Sequence, residues 1–285
     1  MSRFLICYLS LVPPVFFWAN LVWGAEYELF RRRAPIDNYP QVIDSLQTDD
    51  ILKFDGEHRF RFLKLLGSGN STTVLLVEPL VRREGDPAQM ALRIPRGEGK
   101  HPVIELSYSE VLNKFIAAYP ILMRNGVVVP QMYHSVRGEF AAMEVIGEGP
   151  LLRDFFRTVN HAERSKIVRV QESVYVTQKK DALKFFARST ARLRKIWDFN
   201  DQQIIYEENR RRWVLLDWLD ASPHRWYLPW QGNTVFDFFI RDNFPDPAFI
   251  TQPLKALFAE LNQEIKDERQ KQQNSFMTYV LHCLR

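Results

Sequence analysis

Gly67-Ser68-Gly69-Asn70-Ser71-Thr72-Thr73-Val74 interrupts two apolar, β-favouring runs between Phe60 and Val77, which is the pattern of strand, tight turn, strand. Glycine serves where backbone N–H groups must approach a phosphate closely or where φ must be positive, and an ordinary hairpin would use the same residues. Working outward, a turn at Gly85, Asp86 and Pro87 leads into Met90-Ala91-Leu92-Arg93-Ile94, a third strand. The period then changes. Val111, Leu112, Phe115 and Leu122 recur at helical spacing within Tyr108 to Met123, and Gly126 follows as a stop. Val127 to Val129 and Phe140 to Ile146 are again strand-like, with a turn around Gly138 between them.

After Gly147 and Gly149 the pattern turns helical, with runs at Leu151 to Val159, Ser165 to Val176 and Asp181 to Trp197. The last carries Leu183, Phe186, Thr190, Leu193 and Trp197 along one stripe. Two short apolar runs, Ile204 to Tyr206 and Trp213 to Leu216, precede a closing helix over Pro253 to Lys271. On that helix Lys255, Lys266, Arg269 and Lys271 beside Glu260, Glu264 and Glu268 read as a solvated charged face. The divisions that follow are 1–24, 25–57, 58–148 and 149–285, with the stretch 25–57 a lead-in holding at most a short helix around Val42 to Leu46.

Taken in order, these pieces resemble the protein-kinase-like superfamily. The Gly67 to Val74 segment fits G-x-G-x-x-G-x-V except that Thr72 replaces the third glycine, and Arg93 stands where the strand lysine belongs. Glu110 occupies the place of the helix glutamate, with Glu105 as a rival, and Glu144 follows a later strand. Ile196-Trp197-Asp198-Phe199-Asn200-Asp201-Gln202-Gln203 is similar to the catalytic loop, and Asp217-Trp218-Leu219 stands in the place of D-F-G. Leu215-Leu216-Asp217-Trp218, with Asp237 beyond it, is nearer in style to aminoglycoside phosphotransferases and lipopolysaccharide kinases.

The resemblance implies an α+β, two-lobe fold, with a small antiparallel sheet lobe of five strands and a larger helical lobe. It also implies a nucleotide site at Gly67, Gly69, Val74, Arg93, Glu110 and Glu144, and Asp198 as the group that accepts the acceptor hydroxyl's proton. Gln203 and Asp217 would hold Mg2+ against the phosphates of ATP. The expected activity is phosphate transfer to a hydroxyl on a protein or small-molecule acceptor. The departures at Thr72, Arg93, Trp197 and Gln203 fit equally an exported pseudokinase that binds or scaffolds.

The remaining sequence bounds these readings. With 285 residues, 46% of them hydrophobic, the chain is able to bury a sizeable core, and 38 basic against 34 acidic residues give no footprint for nucleic acid. Cys7 and Cys283 are the two cysteines, so no disulfide framework exists, and the histidines lack metal-ligand spacing. Met1-Ser2-Arg3 precedes an apolar run from Phe4 to Trp23 and then Gly24 and Ala25, the order of a signal peptide cut ahead of Ala25. The competing reading is an uncleaved anchor, for which the Arg31-Arg32-Arg33 cluster would keep the remainder in the cytoplasm.

Overall fold

The computed structural model describes residues 24–31, 34–36, 39–54, 58–102, 105–147, 149–152, 179–193, 203–218 and 252–283. It is an α+β protein built on a seven-stranded mixed sheet. In chain order the strands are β1 (Glu26–Glu28), β4 (Ile51–Lys53), β5 (Arg59–Ser68), β6 (Thr72–Pro79), β7 (Met90–Pro95), β8 (Met132–Val136) and β9 (Phe140–Met143), arranged β1-β4-β5-β6-β7-β9-β8. The strands from β4 to β8 pair antiparallel, and β1 runs parallel to β4. Four of the five strands expected from the sequence are present where expected, a fifth lies further along the chain, and the lead-in lengthens the sheet by two. It also contributes the small pair β2 (Phe30–Arg31) and β3 (Ala34–Pro35) and the helix α1 (Tyr39–Ser45). The strand expected at Val127 to Val129 is instead an extended connection with Val127 and Val129 buried, and the strand itself begins at Met132.

Helix α2 (Tyr108–Arg124) crosses the sheet between β7 and β8. Helix α3 (Lys180–Ala191), the hairpin of β10 (Ile204–Glu207) and β11 (Arg212–Leu215), and helix α4 (Gln252–Cys283) complete the described elements. Two apolar cores lie within them. One joins the face of β5, β6 and β7 that carries Phe62, Leu75 and Ile94 to Tyr39 and Val42 of α1. The larger runs from Leu112, Phe115 and Met143 through Phe186, Trp213 and Leu215 to Leu261 and Ile265. That core takes in residues on both sides of position 148, since α2 packs on the sheet and on the later elements alike. The sequence runs at Leu151 to Val159 and Ser165 to Val176 lie almost wholly outside the described residues.

Helices α3 and α4 run side by side; Lys255, Lys266 and Lys271 are exposed as the sequence suggests, while the glutamates beside them turn to α3. Lys184 pairs with Glu260 at 2.8 Å, Arg188 with Glu264 at 3.0 Å and Arg192 with Glu268 at 2.7 Å. Every partner is one turn beyond the last on both helices, so the glutamates face α3 in a parallel ladder. The Lys184 hydrogen bond holds the Glu260 carboxyl below its ordinary 4.5, and the same bond raises Lys184 above its ordinary 10.5. A carboxyl depressed in the folded state stabilises above its unfolded value, and that contribution is lost as pH falls through the folded one. The raised lysine contributes in full below 10.5 and is lost as pH climbs through its folded value. Urea midpoints should therefore decline as pH drops below 4.5, and the decline should be shallower in Glu260→Gln. An equal slope in the variant would show that the rung is electrostatically idle, which is common for exposed pairs.

Candidate functional site

The β5–β6 turn is closed by Gly69 N–H donating to the Thr72 carbonyl at 2.8 Å. Neither Gly67 nor Gly69 has a positive φ. A Cβ on Gly67 would meet nothing within 4 Å, and one on Gly69 would find Thr72 O at 3.7 Å as its nearest neighbour. The protein's own packing thus does not require glycine at either place. Gly69 leaves open backbone at the wall of a cavity.

That cavity, of about 230 Å³, is lined by Asn70, Ser71 and Thr72 of the turn, by Arg93 of β7 and, from the far half of the chain, by Gln203 and Asp217. Arg93 and Val74 are cross-strand neighbours, and Val74 also faces Gly67. The Arg93 side chain is 11% exposed, and its Nη1 donates to Asp217 Oδ1 at 2.7 Å. The same guanidinium donates to the Leu216 carbonyl at 3.3 Å and reaches Thr72 Oγ1 at 3.5 Å. Its plane lies over Phe115, 4.2 Å from the ring centroid, and Phe115 stacks on Trp218 at 3.9 Å. Trp218 Nε1 donates to the Phe115 carbonyl at 2.9 Å, and the Trp218 amide caps Asp217 Oδ1 at 2.9 Å. Arginine, aromatic and indole form a three-layer stack that fixes the guanidinium against the carboxylate.

Of the sequence-derived site residues, the structure brings Gly69, Arg93, Gln203 and Asp217 to this cavity, with Gly67 and Val74 on the adjoining strands. It does not bring Glu110 or Glu105 to Arg93, whose carboxylate partner is Asp217. Glu110 instead closes a capping box at the start of α2, accepting from the Ser107 amide at 2.8 Å while its own amide donates to Ser107 Oγ at 3.2 Å. The Ser107 hydrogen bonds keep its carboxyl below the ordinary range. Ser107-Tyr108-Ser109-Glu110 has the S-x-x-E form of such a box, the signal that identifies this role from sequence. Glu144 is buried away from the cavity, held by Arg210 and by Arg212 at 3.3 Å, with the Gln131 amide donating to it at 3.1 Å. It ties the sheet to the β10–β11 hairpin. Asp198 lies outside the described residues.

The magnesium ion that the kinase resemblance implies does not fit this donor set. Oδ1 of Asp217 already accepts from Arg93 and from Trp218 N–H, so its charge is compensated by a buried cation. A hard dication takes several oxygen ligands, charged carboxylates among them, and Asp217 is the one carboxylate among the described residues that line the cavity. Gln203 Oε1 is buried with no hydrogen-bond partner. Among the described residues no three His, Cys, Asp or Glu side chains gather into a metal-binding group, and no helix is long and apolar enough to cross a membrane. No family model matches the chain, and no curated protein is significantly similar to it in sequence.

Proposed function

We propose that the chain is a two-lobe, protein-kinase-like domain that binds a nucleotide in the cavity between the β5–β6 turn and the Gln203 to Asp217 hairpin. The observation that carries this reading is the meeting of Arg93 and Asp217, 124 residues apart in sequence and 2.7 Å apart in space. They meet beside an open glycine turn in the order and place that the resemblance assigns to phosphate and metal groups. A binding or scaffolding protein, exported or held at a membrane by its N-terminal segment, is the form of this reading that the site favours. Its aspartate is engaged by a cation of the protein itself. Phosphate transfer to a hydroxyl acceptor, with Asp198 as the proton acceptor, is the second reading, and the retention of Asp217 beside the turn favours it.

Thermal unfolding of the full chain with ATP or GTP tests the binding. A ligand at about 100 times its dissociation constant adds about 2.7 kcal/mol to stability, so saturating nucleotide should raise Tm clearly. Gly69→Ala supplies the site-specific arm. The nearest atom to the new methyl is 3.7 Å away, so the ligand-free Tm should stay put while nucleotide affinity falls by about tenfold or more through lost backbone approach. No nucleotide shift in the wild type, or an unaltered shift in Gly69→Ala, would remove the cavity from consideration as the nucleotide site.

A further inference from the structure

We infer that the cavity takes its phosphate-bearing ligand without a divalent cation, Arg93 standing in the position where a metal would otherwise neutralise Asp217. The inference rests on the nucleotide reading above for its ligand and on the site geometry alone for the metal. Three features lead to it. The Asp217 carboxylate is matched one to one by a guanidinium that is buried, bonded to Leu216 O and Thr72 Oγ1 as well as to Oδ1, and stacked on Phe115. So held, the guanidinium stands against the carboxylate that a doubly charged cation would need, and it repels that cation. Gln203 Oε1 is buried, so it presents no open oxygen to an ion in the cavity.

The arrangement reverses the sign of a standard substitution. In a metal-dependent site, Asp217→Asn removes the ion and weakens nucleotide binding. Here the amide keeps the shape, removes the negative charge facing the phosphates and leaves Arg93 uncompensated, so affinity for nucleotide should rise. Arg93→Met should lower it, and with Asp217 freed should make it respond to magnesium.

The experiment has two arms on the full chain. In the first, Mn2+ alone is titrated into the wild type and Asp217→Asn and followed by electron paramagnetic resonance. The two titrations should superimpose, and a bound Mn2+ present in the wild type and missing in the variant would overturn the inference. In the second, ATP binding is measured calorimetrically in EDTA and in Mg2+. Affinities within about twofold of each other, with Asp217→Asn tighter than the wild type, are expected, whereas about tenfold tighter binding with Mg2+ would overturn the inference. If ATP binds in neither buffer, the nucleotide reading and with it the ligand half of the inference fall, while the Mn2+ arm still decides the metal half. Should Asp217→Asn prove unfolded by its ligand-free melting curve, a Mn2+ titration of the wild type showing a stoichiometric tight site would overturn the inference, and its absence would uphold it.

Discussion

Trp218→Ala should remove about 3–5 kcal/mol of stability, the range for truncating a buried tryptophan, from a domain whose total is about 5–15 kcal/mol. The indole is 1% exposed, stacks face to face on Phe115 with 12° between planes, and spends its single N–H on the Phe115 carbonyl. Truncation therefore leaves a cavity in the larger core, frees a helix carbonyl and removes the floor under the ring on which Arg93 lies. The cavity beside Arg93 should lose its shape with it. Trp218→Phe keeps a stacking ring and gives up the hydrogen bond, so its cost should be nearer about 1–2 kcal/mol. Denaturant midpoints of the three proteins should rank wild type, Phe, Ala. A loss below about 1 kcal/mol in Trp218→Ala, the average for any point change, would show that the stack is not a keystone.

The second large effect is expected at Gly149. A Cβ there would sit 2.3 Å from the main-chain oxygen of Tyr206, a contact that no side-chain rearrangement relieves. The loop is pinned at that spot, since Tyr206 N–H donates to Pro150 O at 3.1 Å and Leu151 bridges to Ile205. Gly149→Ala must push β10 away from the loop, at the upper end of overpacking costs, about 3 kcal/mol. Gly147, two residues earlier, has open space where its Cβ would be. Gly147→Ala should accordingly stay within about 0.5 kcal/mol of wild type. Equal midpoints for the two variants would mean that the loop does not lie against β10.

The contrast between these glycines shows where sequence reading reaches and where it stops. Both were legible as the punctuation between sheet and helices, but which one touches backbone depends on a strand more than fifty residues away. The same holds more widely. The strands β5, β6, β7 and β9, helix α2 and the β10–β11 hairpin follow from alternation, helical spacing and glycine placement, all of them local signals. Strands β1 and β4 have three residues each and show no period, so the edge they form had no signature. At the site, Arg93 and Asp217 were each identifiable by their place in an ordered series, yet their mutual pairing was not. The sequence offers Glu110 as the nearer carboxylate, and only the packing of α2, whose N-terminus that glutamate caps, takes it out of reach. Glu144 misleads for a related reason, because the two arginines that claim it arrive from the later hairpin.

The ladder between α3 and α4 has a further consequence. Its cations stand at 180, 184, 188 and 192 and its glutamates at 260, 264 and 268, so sliding α4 by one turn would trade three rungs for three others. Lys180 already lies 3.7 Å from Glu260, the first rung of that shifted set. A comb whose teeth match in two settings holds the helices together without telling them how far along to sit. The vernier is apolar: Leu257, Phe258, Leu261 and Ile265 are all at most 6% exposed in the present setting. A slide of about 5.4 Å would pull each from its place among the side chains of the larger core. The charges permit either setting, and the apolar packing selects one.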